Sequence, residues 1–351
     1  MARHLPVLLA GIGARLNSPG ACTRGAPIRG APVRRHGSPP DFHEYSASPS
    51  GSNTRLASPD SNCDARARHT GLENTITIYS MDELRIPYYQ EYEILGYLLY
   101  PIGRISDDLV SRVDRNANYP EIILFSKFVL TALSLYRLLP EGKEPQKNKP
   151  ADISSIATLG RNLIEIYNLY FYLCLDEISD IEADFRRHVS FYHYLHEHHR
   201  VGEKMDVSSE ELGLNEKNVL QQYRREVEDH PFFQNLERKV QRQVLSGEKM
   251  AYQGRVEITK KYCKSFKLLD ALYKVMSNHV HSGVFGLILS FDGESFGCDN
   301  VENRDKISSI LYLVNYYVGI ALCSVITIYP ETEKHSPKEA TALATKLAKR
   351  F

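Results

Sequence analysis

Residues 153–175 read ISSIATLGRNLIEIYNLYFYLCL, a run of 23 residues with only two charges, Arg161 and Glu165. The run is too long for a buried strand, and its apolar residues recur at helical spacing. On a helix, residues four apart share a face, so Arg161 and Glu165 stand one above the other. The same face collects Ser154, Thr158, Asn168 and Tyr172. A polar stripe therefore runs down a helix whose other sides are Leu, Ile, Tyr and Phe. Desolvating an ion pair is costly unless it is well satisfied, so such a stripe has a structural or a chemical purpose. The rest of the chain is expected to pack around this helix.

Working outward, 351 residues suffice for one large domain or two. The hydrophobic and charged fractions, 42% and 25%, are those of an ordinary globular protein. Residues 1–70 hold nine Arg, no Lys and four acids, which leaves 34 basic and 39 acidic residues in 71–351, net −5. That balance excludes a protein that binds nucleic acid by overall charge and leaves open a local basic patch. The six cysteines form no CxxC pair, and Cys174 and Cys323 lie in apolar runs. This usage fits buried thiols in a reducing compartment, so the expected location is the cytoplasm.

Residues 1–80 are rich in Pro, Gly, Ser and Arg, and are expected to be a disordered segment, a targeting segment, or an extension preceding a start at Met81. Leu72–Tyr79 is a candidate strand or lead-in. Tyr88–Tyr100 is expected to be a helix stopped by Pro101, with a short amphipathic helix at Ile105–Val113. Glu121–Leu139 follows Pro120 and ends at Pro140, and Glu141–Pro150 is a polar loop. After the central helix, Ser179 or Asp180 caps a helix to about Arg200, with Ile181, Phe185, Tyr192 and Leu195 inward. Pro231 divides Val207–Gln243. Glu257–Val280 reads as the cleanest helix in the chain. Val284–Phe296 carries an Asp292-Gly293 turn, Ile307–Tyr329 is a long uncharged helix, and Ser336-Pro337-Lys338-Glu339 is a capping box for a short basic helix. The expected fold class is all-α, a bundle of seven or eight helices. Its parts are an N-terminal segment 1–80, N-terminal helices 81–150, a core 151–330 and a C-terminal helix 331–351.

His188, His193, His196, His198 and His199 cluster within twelve residues but fall on several faces without an HExxH motif, so no metal site is assigned. No Walker loop, GxGxxG, GxSxG or kinase signature is present, and no cofactor is expected. His279 reads as a core histidine, and His281 lies at a helix end beside Gly283, with Ser277 one turn earlier.

Arg161 and Glu165 as Arg-x-x-x-Glu, followed by Ser277 and His281 as Ser-x-x-x-His, resemble a bacterial family of all-helical proteins of unknown function. The likeness spans about residues 153–329. That family is loosely similar to the HEPN (higher eukaryotes and prokaryotes nucleotide-binding) bundles, many of which are RNases with Arg-x4–6-His. Arg187 with His193, and Arg224 with His230, meet that spacing. The resemblance implies a site of Arg161, Glu165 and His281 that binds or cleaves RNA or a nucleotide, with Arg161 on the phosphate and His281 as acid or base. A homodimer is a further expected assembly. Two alternatives stand beside it: a non-enzymatic interaction module whose Arg161–Glu165 pair is buried and structural, and a membrane-associated protein spanning at Ile307–Tyr329. Ser308, Ser309, Asn315, Ser324 and Thr327 within that helix speak for a bundle instead.

Overall fold

A computed structural model describes residues 87–112, 120–205, 216–280 and 297–351. The readings made for residues 1–80, for His281 and for Val284–Phe296 lie outside the described residues. Within them the protein is all-α, as expected. Ten α-helices form: α1 Tyr88–Ser111, α2 Pro120–Arg137, α3 Ile153–Tyr170, α4 Asp180–Met205, α5 Glu216–Glu228, α6 Arg238–Leu245, α7 Arg255–Tyr262, α8 Phe266–Val280, α9 Val301–Ile328 and α10 Lys338–Leu347.

Two apolar clusters hold them. The larger joins α1, α2, α3, α8, α9 and α10 around Phe125, Phe128, Tyr167, Tyr170, Tyr316 and Tyr317. The smaller joins α4, α5 and α6 through Phe185, Val189, Tyr192, Tyr223, Val227, Phe233 and Val244. The central helix is placed as the sequence implies. Asp152 caps it by accepting the Ser155 amide at 3.0 Å, and its last turn, Phe171–Leu175, widens into a π-turn. Gly160 lets α9 and α8 approach α3. A Cβ there would lie 3.1 Å from Ile310 Cγ2 and 3.2 Å from Met276 Sδ.

Four local expectations are corrected. Pro101 does not end a helix: α1 runs through it to Ser111. A proline inside a helix removes one backbone bond, but Leu95, Leu98, Leu99, Ile102, Ile105 and Leu109, on both sides of it, are all buried. Packing of one continuous face outweighs the lost bond. Glu257–Val280 is not one helix but α7 and α8, with Cys263 extended between them (φ −115°, ψ 118°). The break is tertiary. The Ser265 amide donates to the Phe351 carbonyl at 2.5 Å, and the Phe351 ring packs edge-on against Tyr312 and Tyr316. The box at Ser336–Glu339 does not cap α10, because Pro337 occupies the cap position without a side-chain bond. Ser336 Oγ turns to Thr341 Oγ1 at 3.0 Å instead. Ile181 is 55% exposed, left outside the cluster that buries Phe185, Val189 and Tyr192.

The uncharged stretch belongs to α9, which begins earlier, at Val301, and is long and apolar enough to cross a membrane. Seventeen of its 28 residues are buried, with α1, α3 and α10 packed along it. Its polar side chains find partners in the bundle or on the helix's own backbone. Asn315 Nδ2 donates to the Glu91 carboxylate at 2.6 Å, Ser324 Oγ to the Ile320 carbonyl at 2.7 Å, and Thr327 Oγ1 to the Cys323 carbonyl at 2.9 Å. Burial of most of its surface accounts for the absence of charge from 307 onward.

Candidate functional site

The polar stripe of α3 is divided by what covers it. Ser154 and Thr158 are exposed at its start. At its other end Asn168 is buried beneath α7, its Oδ1 accepting Thr259 Oγ1 at 2.9 Å and Tyr262 OH at 2.8 Å. Tyr172 is buried beneath α4, its ring 4.1 Å from the Arg186 guanidinium carbon. Arg161 and Glu165 lie between, at the surface, with side chains 24% and 47% exposed.

Arg161 Nε donates to Glu165 Oε1 at 2.9 Å and to Tyr273 OH at 3.1 Å, and Tyr273 OH donates to the same Glu165 oxygen at 2.7 Å. Burial, then the bond to Glu165, raises the Tyr273 pKa above the ordinary phenol value, so Tyr273 remains a proton donor at neutral pH. Its ring is also a platform for cations. The Arg255 guanidinium sits 3.8 Å from the ring centroid and the Arg161 guanidinium 5.6 Å. Arg255 Nη2 pairs with Asp270 Oδ1 at 2.5 Å, and Lys274 Nζ reaches the other oxygen at 2.9 Å. Those partners, Arg255 first, hold the Asp270 carboxyl below its usual range.

Of the three residues expected to form the site, Arg161 and Glu165 meet as spacing implied, and His281 lies outside the described residues. Ser277, expected near it, spends its hydroxyl on the Tyr273 carbonyl at 2.9 Å. Tyr273 and Arg255 complete the cluster. Tyr273 falls in the apolar repeat of α8, where its spacing does not distinguish it from Leu269 and Met276; Arg255 stands 94 residues from Arg161 in the chain. The histidines of the two Arg-x4–6-His pairings are shown with other partners: His193 Nδ1 donates to the Gly247 carbonyl at 2.7 Å, and His230 Nε2 faces Asp184 at 3.5 Å. His279 is buried, and burial, with the Lys306 charge second, pushes its pKa below the ordinary histidine value.

The half-exposed Arg161–Glu165 pair is not the buried structural pair of the interaction-module alternative. Exposed pairs contribute about 0.2–1 kcal/mol. Arg161→Ala and Glu165→Ala are therefore each expected to lower unfolding stability by under about 1 kcal/mol in urea titrations. A loss of about 3 kcal/mol in either would show that the pair is effectively buried.

The surroundings are strongly basic. Between residues 238 and 274 stand ten Lys or Arg and three acids, net +7, in a stretch whose larger context, 71–351, carries net −5. All ten except Arg255 are exposed. A groove of about 830 Å³ between α6 and α7 is lined by Lys239, Lys249, Tyr252 and Arg255, together with the acids Glu237 and Glu257, so Arg255 joins the groove to the Tyr273–Arg161 cluster. No protein-family model matches this chain, and comparison with curated proteins and with solved structures returns no match.

Proposed function

We propose that the chain is a HEPN-like helical protein that binds the phosphates of RNA or of a nucleotide on the face made by α6, α7 and α8, with the Arg161–Tyr273–Arg255 cluster at its edge. The observation that carries the reading is the basic segment 238–274, which concentrates charge against the acidic balance of the remainder. A polyanion gains from such a face through counterion release. The Arg161 and Arg255 guanidiniums, held beside Tyr273, offer planar donors suited to phosphate oxygens. Cleavage by this site would assign the acid or base role to His281, one residue past the described end of α8.

Fluorescence anisotropy with labelled single-stranded RNA and with a labelled nucleotide tests the reading. Reversing two exposed lysines together, Lys264→Glu with Lys267→Glu, is expected to weaken RNA binding more than roughly tenfold, each reversal costing at least one phosphate contact. The same reversal at Lys338 and Lys346, exposed on α10, is expected to leave binding unchanged. Equal losses in both double variants, or no RNA or nucleotide binding by the unaltered protein, would refute the assignment.

A further inference from the structure

At the N-terminal half of α4, three side chains converge that the proposed basic face does not use. Asp184 and His188 are four apart on α4 and so share a face. His230, which follows α5, arrives from 42 residues later in the sequence. Ligating atoms of the three lie within 4.8 Å of one another. The Asp184 carboxylate is held in place by its own neighbours. Oδ1 accepts Arg187 Nη2 at 3.1 Å, while Oδ2 lies 3.5 Å from His188 Nδ1 and 3.5 Å from His230 Nε2. Glu226 Oε2 stands 4.0 Å from His188 Nε2. The rings of His188 and His230 are 5.7 Å apart.

We propose that Asp184, His188 and His230 form a binding site for a divalent transition metal of the zinc type, with Glu226 within reach as a fourth ligand. Zinc–nitrogen and zinc–oxygen bonds of about 2.0–2.2 Å at tetrahedral angles place neighbouring ligand atoms roughly 3.3 Å apart. The Asp184–His230 separation of 3.5 Å is close to that edge. The donor set of two imidazoles and carboxylate suits zinc rather than magnesium or calcium, which take oxygen ligands. His188 would ligate through Nε2, the ring nitrogen on the side of Glu226, after a turn of the ring, because Nδ1, the nitrogen 3.5 Å from Asp184 Oδ2, is engaged. Its Nδ1 lies 2.9 Å from the Asp184 backbone carbonyl and therefore carries the ring proton, which leaves the Nε2 lone pair available. His230 must change tautomer. Its Nδ1 accepts the Phe232 amide at 3.1 Å, so in the unloaded protein Nε2 carries the proton. Ligation through Nε2 moves that proton to Nδ1, with no net change in ring charge, and releases the Phe232 amide.

Zinc alone is titrated into the full chain by calorimetry, and cobalt(II) alone is followed by its visible absorption. Surface histidines can take up metal without a formed site, so variants decide the site. His188→Gln and His230→Gln are each expected to weaken zinc binding at least tenfold. The double variant His198→Gln, His199→Gln is expected to leave it unchanged. Zinc is also expected to shift the Phe232 amide resonance, a change that binding at the other histidines would not produce. Asp184→Asn, at a half-exposed position, supplies a third ligand variant if His230→Gln does not fold. Failure of the unaltered protein to take up zinc, or equal affinity in the ligand variants and the unaltered protein, would overturn the site. Neither result bears on RNA binding, which uses other residues.

Discussion

Arg304→Ala is expected to be among the most destabilising single substitutions in this chain, with a loss of about 3–5 kcal/mol, the range for stranding one partner of a buried ion pair. Arg304 and Asp299 are both buried, with side chains 4% and 1% exposed. The guanidinium forms a two-bond fork with the carboxylate, Nε to Oδ1 at 2.6 Å and Nη2 to Oδ2 at 2.8 Å. Its remaining donors reach the carbonyls of Glu141, Gly142 and Lys143 at 2.8–3.1 Å. These carbonyls lie in the polar loop after α2, where Gly142 takes a left-handed conformation (φ +81°). Among the described residues, removing Arg304 leaves the Asp299 carboxylate with only the Gln146 amide and three loop carbonyls without their donor. The loop is then held to residues 297–299 by little more than the Ala151–Gly297 and Asp299–Lys149 backbone bonds. Asp299→Asn with Arg304→Met, which removes both charges, is expected to recover part of the loss. Urea unfolding of the single and double variants measures both numbers, and a loss under about 1 kcal/mol for Arg304→Ala would mean that water already reaches the pair.

The second large effect is expected at Arg186, 1% exposed on α4. Its Nη2 pairs with Glu182 at 2.5 Å and Asp176 at 2.8 Å, and its Nη1 donates to the Tyr172 carbonyl at 2.6 Å. That carbonyl belongs to the π-turn ending the central helix, where backbone acceptors run out of helical donors. Arg186 thus supplies the cap, and its guanidinium stacks over Tyr172. Burial alone would depress the Arg186 pKa, but Glu182 and Asp176 more than offset this and hold it above the ordinary value. The carboxylates have second partners, Tyr252 for Glu182 and Lys261 for Asp176. The expected cost of Arg186→Ala is therefore about 3 kcal/mol, the lower end of the buried-pair range. Because Arg186 joins the small cluster around α4 to the end of α3, the loss is expected to open the small cluster first. Amide exchange should rise at Phe185, Val189 and Tyr192 before it rises in α9. Uniform loss of protection across both clusters would contradict the joining role.

The residues that were legible in the sequence are those whose meaning is local. Helical spacing located the central helix and the long uncharged helix. Proline marked the start of α2, and the polar run 141–150 marked the loop after it. Coverage was not legible. Arg161 and Glu165 drew attention because they are the only charges in an apolar helix, yet they lie at its surface. The charges that are buried among the described residues, Glu91, Arg186, Asp299 and Arg304, sit in ordinary-looking polar surroundings. Glu91 takes its partner Arg350 from 259 residues away, and no short-range spacing reports such a pairing. The same holds for the break between α7 and α8, which Phe351 imposes from outside the segment, and for Pro101, where packing on both sides outweighs a local rule. In the histidine-rich helix, His188 meets His230 rather than its neighbours in the cluster, so counting faces on one helix could not find the trio.

The measurement that bears most directly on the basic face as a phosphate-binding surface is the salt dependence of RNA affinity. For single strands, the slope of log affinity against log salt is about −0.7 per phosphate contacted. The protein is expected to show a steep negative slope, and the Lys264→Glu, Lys267→Glu variant a slope shallower by about 1.4 if each lysine meets one phosphate. An affinity independent of salt, or a slope unchanged in that variant, would contradict the assignment of this face.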